Sequence, residues 1–468
     1  MSETIAALST PLGVAALGVI RISGPEAATI AEACFKAKPS FPKPSEMKGY
    51  TMAYGDWCNA AGERLDEVIL AAFRAPHSYT GEDLYEISFH GGSQVRQSIL
   101  ESLFEAGAVP AAPGEFSKRA FLNGKMDLSE AEAVMDLISA ESQLEQKYAL
   151  KEMGGSLSRA AEDLRQKVLR ILADLENFLE FSEEDFSQTE ANTLSQAIRT
   201  IEAEINYALS AWKQGRILRD AFRICILGLS NAGKSTLLNA LIGSSRAIVS
   251  DISGTTRDTL DVKLQIAGIP VLLTDTAGLR ETADLIEKEG IQRALAAAEI
   301  SDLIFWLHDP TDLAESINLF KDFRQKAAEQ EVVHILGKQD LFTAELAEEQ
   351  RLTLLSALGE AEVQDLLFWT SSNVELLENI HRVVADKFAA LGNRSSAEIL
   401  IHNIRHKELL ENAAQALNLA EDSLLSGQTP DITAAMLRNA VEALARMSGS
   451  EVSDELIESI FSRFCVGK

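Results

Sequence analysis

Cysteine is scarce: four in 468 residues, Cys34, Cys58, Cys225 and Cys465, far apart and with no C-x-x-C. That excludes a disulfide framework and a zinc knuckle. Positive charge is short as well, since 43 Lys and Arg face 70 Asp and Glu for a formal net charge of −27. Gripping nucleic acid by broad phosphate neutralisation needs the opposite balance, so any RNA contact is expected to be local or shared with a partner. No apolar run approaches the roughly 20 residues that span a bilayer. The opening MSETIAALSTP lacks the basic-then-apolar layout of a secretory leader. We therefore expect a cytoplasmic protein with no membrane association. Apolar content is ample, at 46%, enough to give cores to about three domains of ordinary size.

The densest chemical signal is GLSNAGKST, Gly228 to Thr236, which fits G-x-x-x-x-G-K-[ST]. The apolar run FRICIL before it reads as a buried parallel strand, and TLLNALIG after it has helical length and spacing. In that context the backbone N–H groups around Asn231, Ala232 and Gly233 can wrap a phosphate chain at a helix start that continues through Thr236. Lys234 would reach the outer phosphates and the Ser235 hydroxyl would ligate Mg²⁺. Two more phosphate-side elements follow in order. DISGTTRD, Asp251 to Asp258, supplies a threonine pair in a loop, and VLLTDTAG, Val271 to Gly278, is an apolar strand ending in D-x-x-G. Asp275 would hold the metal through water, and the Gly278 N–H would sense the γ-phosphate. This set resembles the GTPase branch of the P-loop proteins.

Base recognition should fall to Gly337-Lys338-Gln339-Asp340, where GTPases carry N-K-x-D after a strand. Asp340 can accept from the two donors on the guanine edge, a pattern adenine does not offer, and the Lys338 stem can lie over the ring. Glycine at 337 removes an amide, a loss on the order of 1–3 kcal/mol unless something replaces it. Thr370, Ser371 and Ser372 resemble the last loop backing the base. Leu279 stands where Ras-like proteins have the Gln that orients the attacking water. Asn231 offers a neutral oxygen where a monovalent cation such as K⁺ could lie against the phosphates.

The flanks divide by periodicity. About 120 residues at the start mix strands and helices: GVIRISGP as strand into turn, PEAATIAEACF as amphipathic helix, DEVILAAFRAP as another strand. In SYTGEDLYEISFHGG, His90 with two glycines reads as a turn in preference to a metal ligand. From about Leu128 to Gly215 long charged segments carry apolar residues at three- and four-residue spacing, a helical bundle. The acidic Glu183, Glu184 and Asp185 read as an inter-helix loop. Strands alternating with helices return from Phe222 to about Gly392, as expected of a parallel sheet covered on both faces. Helix pattern resumes from Ala397. We expect a multidomain chain of α/β and α parts: an α+β domain over 1–120, helical sequence over 121–215, an inserted P-loop domain with a mostly parallel sheet over 216–392, and a second helical part over 393–468. The alternative is two separate helical domains.

Taken together, ETIAALSTP, IRISGP, YTGEDLYE with HGG, PGEFSKRAFLNGKMDL, NAGKST, DISGTTRD, DTAGLRE and the terminal FCVGK resemble the MnmE/TrmE family of bacterial and organellar tRNA modification GTPases along the whole chain. The resemblance implies a homodimer built through the N-terminal domain and a one-carbon folate, 5-formyl- or 5,10-methylene-tetrahydrofolate, carried there in a folate-binding-like fold. It also implies a discontinuous helical domain, a Ras-like GTPase insert and a flavin-dependent partner protein. The implied product is an aminomethyl or carboxymethylaminomethyl group on C5 of the wobble uridine of certain tRNAs. Carried over by position, Arg21, Glu86, Lys125 and Lys468 would contact folate and Cys465 would lie near it with a chemical role. Ser250, Ile252 and Thr255 would add oxygens to the K⁺ site, Thr256 would complete the Mg²⁺ shell, and Glu287 would orient water. The competing class is a GTP-switched ribosome-assembly or RNA-binding factor without modification chemistry. That class predicts a basic RNA-binding appendage, for which the sequence offers no candidate.

Overall fold

The structure, a computed structural model, describes residues 3–181, 188–210, 212–244, 246–247, 260–275, 295–327, 330–370, 375–391, 401–450 and 452–468. Internal contacts divide it into two compact units. One comprises Met1–Ile138, Lys151–Lys167 and Val441–Lys468, the other Ser139–Leu150 and Val168–Ala440. No helix among the described residues is long and apolar enough to cross a membrane.

The first unit is built on a seven-stranded sheet of β1 (Ile5–Leu8), β2 (Leu17–Ser23), β3 (Phe35–Ala37), β4 (Thr51–Cys58), β5 (Arg64–Phe73), β6 (Leu84–His90) and β7 (Val109–Pro110), ordered β3-β4-β5-β6-β2-β1-β7. The pairings are antiparallel except β1 with β7. One face alternates into a core of Ile20, Ile22, Leu70, Tyr85 and Ile87, closed by the helices Ala27–Cys34 and Ser93–Glu105. The segment Ser78 to Gly92 contains β6, whose Tyr85, Ile87 and Phe89 are buried. His90 ends that strand, its Nδ1 2.7 Å from Asp66 Oδ1 and its N–H donating to Asp66 Oδ2 at 2.8 Å. The last helix, Asp454–Phe461, belongs to this unit: Phe461 and Phe464 pack with Leu128 and Phe121.

The second unit holds β8 (Phe222–Gly228), β9 (Arg246–Ala247), β10 (Leu260–Ile266), β11 (Ile269–Asp275), β12 (Leu303–His308), β13 (Val332–Leu336) and β14 (Leu366–Phe368), in the order β14-β13-β12-β8-β11-β10-β9. The five strands from β14 to β11 are parallel. β10 and β9 add antiparallel pairings, β10 through a hairpin turned at Ala267 and Gly268. The sequence reading missed this hairpin because LDVKLQIAG alternates polar and apolar residues, as a half-covered edge does, while the central strands are apolar almost throughout. The sheet is sandwiched between two clusters, one with Ile224, Ile226 and Leu237, the other with Cys225, Trp306 and Phe320. Helix Ile404–Leu425 runs along Gln188–Ser210, where the half-exposed Arg199 and buried Ser195 both donate to Glu421 Oε1.

Candidate functional site

β8 delivers the chain to Gly228 at φ 144°, where a β-carbon would sit 2.2 Å from the Leu307 carbonyl oxygen of β12. Only glycine lets the loop leave the sheet that close to its neighbour. Asn231 at φ 66° and Gly233 at φ 99° complete the reversal, and Ala232 is buried with its N–H donating to Leu229 O at 3.2 Å. Helix Lys234–Ser244 then begins with Leu237 N donating to Gly233 O at 2.9 Å, and a helix start of this kind favours an anion. The Lys234 ammonium folds over the loop, donating to the carbonyls of Gly228 at 3.0 Å and Leu229 at 2.7 Å. Asn231, Ser235 and Thr236 are exposed at the mouth. A positive charge, helix N–H groups and an exposed hydroxyl in one loop fit a magnesium-bound triphosphate. Asp275 ends β11 opposite Ile226 of β8, so that strand end lies beside the same loop.

The segment expected to read the base follows β13. Gly337 N donates to His308 O at 3.1 Å, Lys338 adopts φ 54°, and a short turn covers Gln339–Leu341. A β-carbon on Gly337 would lie 3.1 Å from Ala232 O, which sets this segment directly against the phosphate loop. Asp340 Oδ1 accepts from Thr370 Oγ1 at 2.6 Å, and Gln339 N donates to Trp369 O at 3.3 Å, so the loop after β14 braces the one after β13. Asn231, Ala232, Gly233, Lys234, Ser235, Thr236, Lys338, Asp340 and Thr370 therefore belong to connections at one end of the parallel strands, where open α/β sheets place their ligands. Ser250, Ile252, Thr255, Thr256, Gly278, Leu279, Glu287, Ser371 and Ser372 lie outside the described residues.

Two features here escaped the sequence reading. Asp309, 5% exposed, accepts from Lys338 Nζ at 2.7 Å through Oδ2, and from Thr311 N at 3.0 Å and Thr311 Oγ1 at 2.6 Å through Oδ1. Burial pushes its carboxyl up, but the bonds from Lys338 and Thr311 more than reverse this and leave its pKa below the ordinary value. His308 Nε2 and His334 Nδ1 are 2.9 Å apart in the core, with His308 Nδ1 3.0 Å from Ser316 Oγ. Burial, and for His308 its neighbour His334, lowers His308 to about 3; burial lowers His334 to about 4, against the pull of Glu362. The signal was present, since LIFWLH and VVHIL each carry one polar residue in an otherwise apolar run.

The N-terminal unit assembles its own polar group. Arg21 and Glu86 stand opposite each other on β2 and β6, with Arg21 Nε and Nη2 donating to Glu86 Oε1 at 3.0 and 2.6 Å. The guanidinium lies 5.3 Å from the Tyr79 ring centroid and 5.7 Å from that of Phe116. The chain's last residues come to the same place. Val466 bridges Pro113, Ser9 Oγ donates to Gly467 O at 3.1 Å, and Gly114 N donates to Cys465 O at 3.4 Å. Gly467, at φ 90°, has no room for a side chain, since a β-carbon would meet Leu8 O at 2.0 Å. Lys468 is pushed down by burial and then by the Arg21 charge, with Cys465 acting in the opposite sense. The Cys465 thiol is exposed. Lys125 Nζ donates to Pro76 O at 2.9 Å, joining the group through the segment that also carries Tyr79. A carboxylate-paired guanidinium set against two aromatic rings, with a partly buried lysine near it, could hold a polar ligand bearing carboxylates.

Comparison with known proteins agrees along the chain. Residues 4–125 match the family described as the GTP-binding protein TrmE N-terminus, and residues 128–465 match the MnmE helical domain. The chain is 37% identical over 472 residues to the tRNA modification GTPase MnmE of Carboxydothermus hydrogenoformans, covering 100% of both proteins. It is 37% identical over 471 residues to the MnmE of Aquifex aeolicus, again covering 100% of each. To that of Bacteroides fragilis it is 36% identical over 470 residues, covering 100% of this chain and 99% of the other.

Proposed function

The chain belongs to the MnmE/TrmE family of tRNA modification GTPases, and from that premise we propose that it is the GTP-hydrolysing component of a system modifying C5 of wobble uridine in tRNA. It would act with a flavin-dependent partner and a one-carbon folate, 5-formyl- or 5,10-methylene-tetrahydrofolate, to form an aminomethyl or carboxymethylaminomethyl group. The observation that carries the reading is the meeting of the phosphate loop and the base-reading loop at Ala232 and Gly337, with Lys234 and Asp340 on their respective sides. A loop that binds phosphate and an acid that reads guanine then share one nucleotide.

In this reading Lys234 turns from its own carbonyls to the outer phosphates, Ser235 and Thr256 hold Mg²⁺, and Asp275 holds it through water. Asn231, Ser250, Ile252 and Thr255 offer oxygens for K⁺, whose charge would stand in for the arginine that other GTPases present to the phosphates. Glu287 orients water in place of the missing glutamine. Gly278, Ser371 and Ser372 complete the nucleotide contacts. Arg21, Glu86, Lys125 and Lys468 bind the folate, with Cys465 alongside. In this reading the GTPase domain is an insertion, which the closeness of Gly215 and Ile401 supports: a β-carbon on Gly215 would lie 1.9 Å from Ile401 O. The homodimer would use the N-terminal unit, where Met52, Tyr54 and Ile69 share one outward face of β4 and β5 and are 67%, 37% and 46% exposed. We place the protein in the cytoplasm.

The test is steady-state GTP hydrolysis in matched potassium and sodium buffers for the native chain, Asn231→Ala and Glu287→Ala. Hydrolysis should be faster in potassium, Asn231→Ala should lose that difference, and Glu287→Ala should be slow in both salts. Equal native rates would remove the cation from the mechanism.

A further inference from the structure

The guanine-reading loop lacks an amide at Gly337, yet its backbone and side chains are tied at several points. Both residues that precede the turn are gripped by the end of β12: Gly337 N by the His308 carbonyl at 3.1 Å, and Lys338 Nζ by Asp309 at 2.7 Å. We propose that Asp309 is a positioning residue for base recognition, holding the Lys338 stem where the purine ring docks and so making good the amide missing at Gly337. The proposal rests on the reading that Lys338 and Asp340 face the base.

The geometry favours a fixed anchor over an incidental surface pair. The side chain of Asp309 is 7% exposed and that of Lys338 28%, so water competes weakly for the carboxylate. Asp309 Oδ1 is already held by the backbone and hydroxyl of Thr311, which sets the plane of the carboxylate and directs Oδ2 to the ammonium. A free lysine stem samples many rotamers, and tethering its far end removes most of that freedom before the nucleotide arrives. The left-handed backbone of Lys338, at φ 54°, is itself uncommon for a side-chain-bearing residue. With Thr370 fixing Asp340, the two base-reading side chains are each held by one polar partner from a neighbouring strand end.

The role separates from that of Asp340 by the chemistry each supplies. A stem over the ring supports any purine, whereas a carboxylate accepting from N1 and the 2-amino group favours guanine over hypoxanthine, which lacks that amino group. The experiment is calorimetric titration of the full chain with GDP and with IDP, for native, Asp309→Asn, Lys338→Ala, the double variant and Asp340→Asn, with thermal melting of each to establish folding. Asparagine keeps an oxygen for the Thr311 N–H and loses the carboxylate oxygen that accepts from Lys338 Nζ together with its charge. If that variant does not fold, Asp309→Ser, which also keeps an oxygen, replaces it in the same cycle. We expect Asp309→Asn to weaken GDP and IDP alike by about tenfold, as for loss of one charge-assisted hydrogen bond. The double variant should be no weaker than Lys338→Ala, and Asp340→Asn should lose the preference for GDP over IDP. Unchanged or tighter binding in Asp309→Asn, or additive losses in the double variant, would overturn the role of Asp309. An unchanged GDP-to-IDP ratio in Asp340→Asn would instead overturn the reading of the loop beneath it.

Discussion

On the proposed reading, the nucleotide site and the Arg21 site would meet the same requirement, holding a multiply charged ligand, by opposite routes. At the nucleotide site the groups proposed to bind phosphate are consecutive residues on one turn, from Asn231 to Thr236, and their geometry is a property of the backbone between β8 and its helix. At the Arg21 site, groups from Leu8 and Ser9, from β2, from the 76–86 segment, from Pro113 to Lys125 and from Cys465 to Lys468 meet only because the sheet and the chain end fold together. A local loop tolerates distant change and fails at a single residue. An assembled site depends on each segment that supplies it, including glycines that touch no ligand.

The sharpest break in that comparison is Lys234→Ala. It should lower GTP hydrolysis by at least about a hundredfold, because the charge it brings to the phosphates has no substitute among the described residues of the loop. Binding of reduced folate, measured by fluorescence or calorimetry on the same protein, should not change. A parallel loss of folate affinity would mean that the two sites are not independent.

Smaller, and opposite in sense, is the effect of Gly467→Val. The β-carbon would fall 2.0 Å from the Leu8 carbonyl oxygen, at a φ of 90° that valine resists. The tail must lift, taking Cys465 and Lys468 from the neighbourhood of Arg21. Folate affinity should drop by about tenfold, the scale of one lost ionic contact, while GTP hydrolysis by the nucleotide site stays near native. If folate binding survived both this change and removal of Lys468, the chain end would have no part in that site.

The same contrast explains what the sequence disclosed. GLSNAGKST was legible because a phosphate loop needs its residues contiguous, and the central strands β8, β12 and β13 were legible because burial on both faces leaves each apolar but for one residue, Arg223, His308 or His334. The edge hairpin of β10 and β11 was only half legible, since β10 alternates. Arg21, Glu86, Lys125 and Lys468 carry no local signature and entered solely through family resemblance. The structure places Arg21 against Glu86 and brings Lys468 within reach of the Arg21 charge, a convergence that no spacing rule contains. Asp309 was invisible for a related reason: its partner Lys338 is 29 residues away, in the connection after the next strand, so only the strand register brings the two together.

The smallest effect concerns pH and again divides the units. Both histidines of the N-terminal unit, His77 and His90, are exposed, whereas His308 and His334 are buried against each other and Phe320 in the nucleotide unit. Their pKa values in the fold, about 3 and about 4, lie below the ordinary value of 6.5. Between 6.5 and those values the unfolded chain binds protons that the folded chain does not, so stability rises with pH and is lost as pH falls through that window. The limit is about 1.4 kcal/mol per pH unit for each histidine, and solvent entry at low pH should reduce it. Asp309 acts in a lower window, its stabilising pair with Lys338 fading only below the ordinary carboxylate range. Trp306, packed 5.0 Å from Phe320 and from Phe323, reports on this core. Urea unfolding followed by its fluorescence should show midpoints falling steadily from pH 6.5 to pH 5, and His334→Gln, which retains polar atoms but does not titrate, should flatten that slope. Midpoints independent of pH over this range would mean that the two rings find protons or water in the fold. A slope unchanged by His334→Gln would assign the acid sensitivity to other groups.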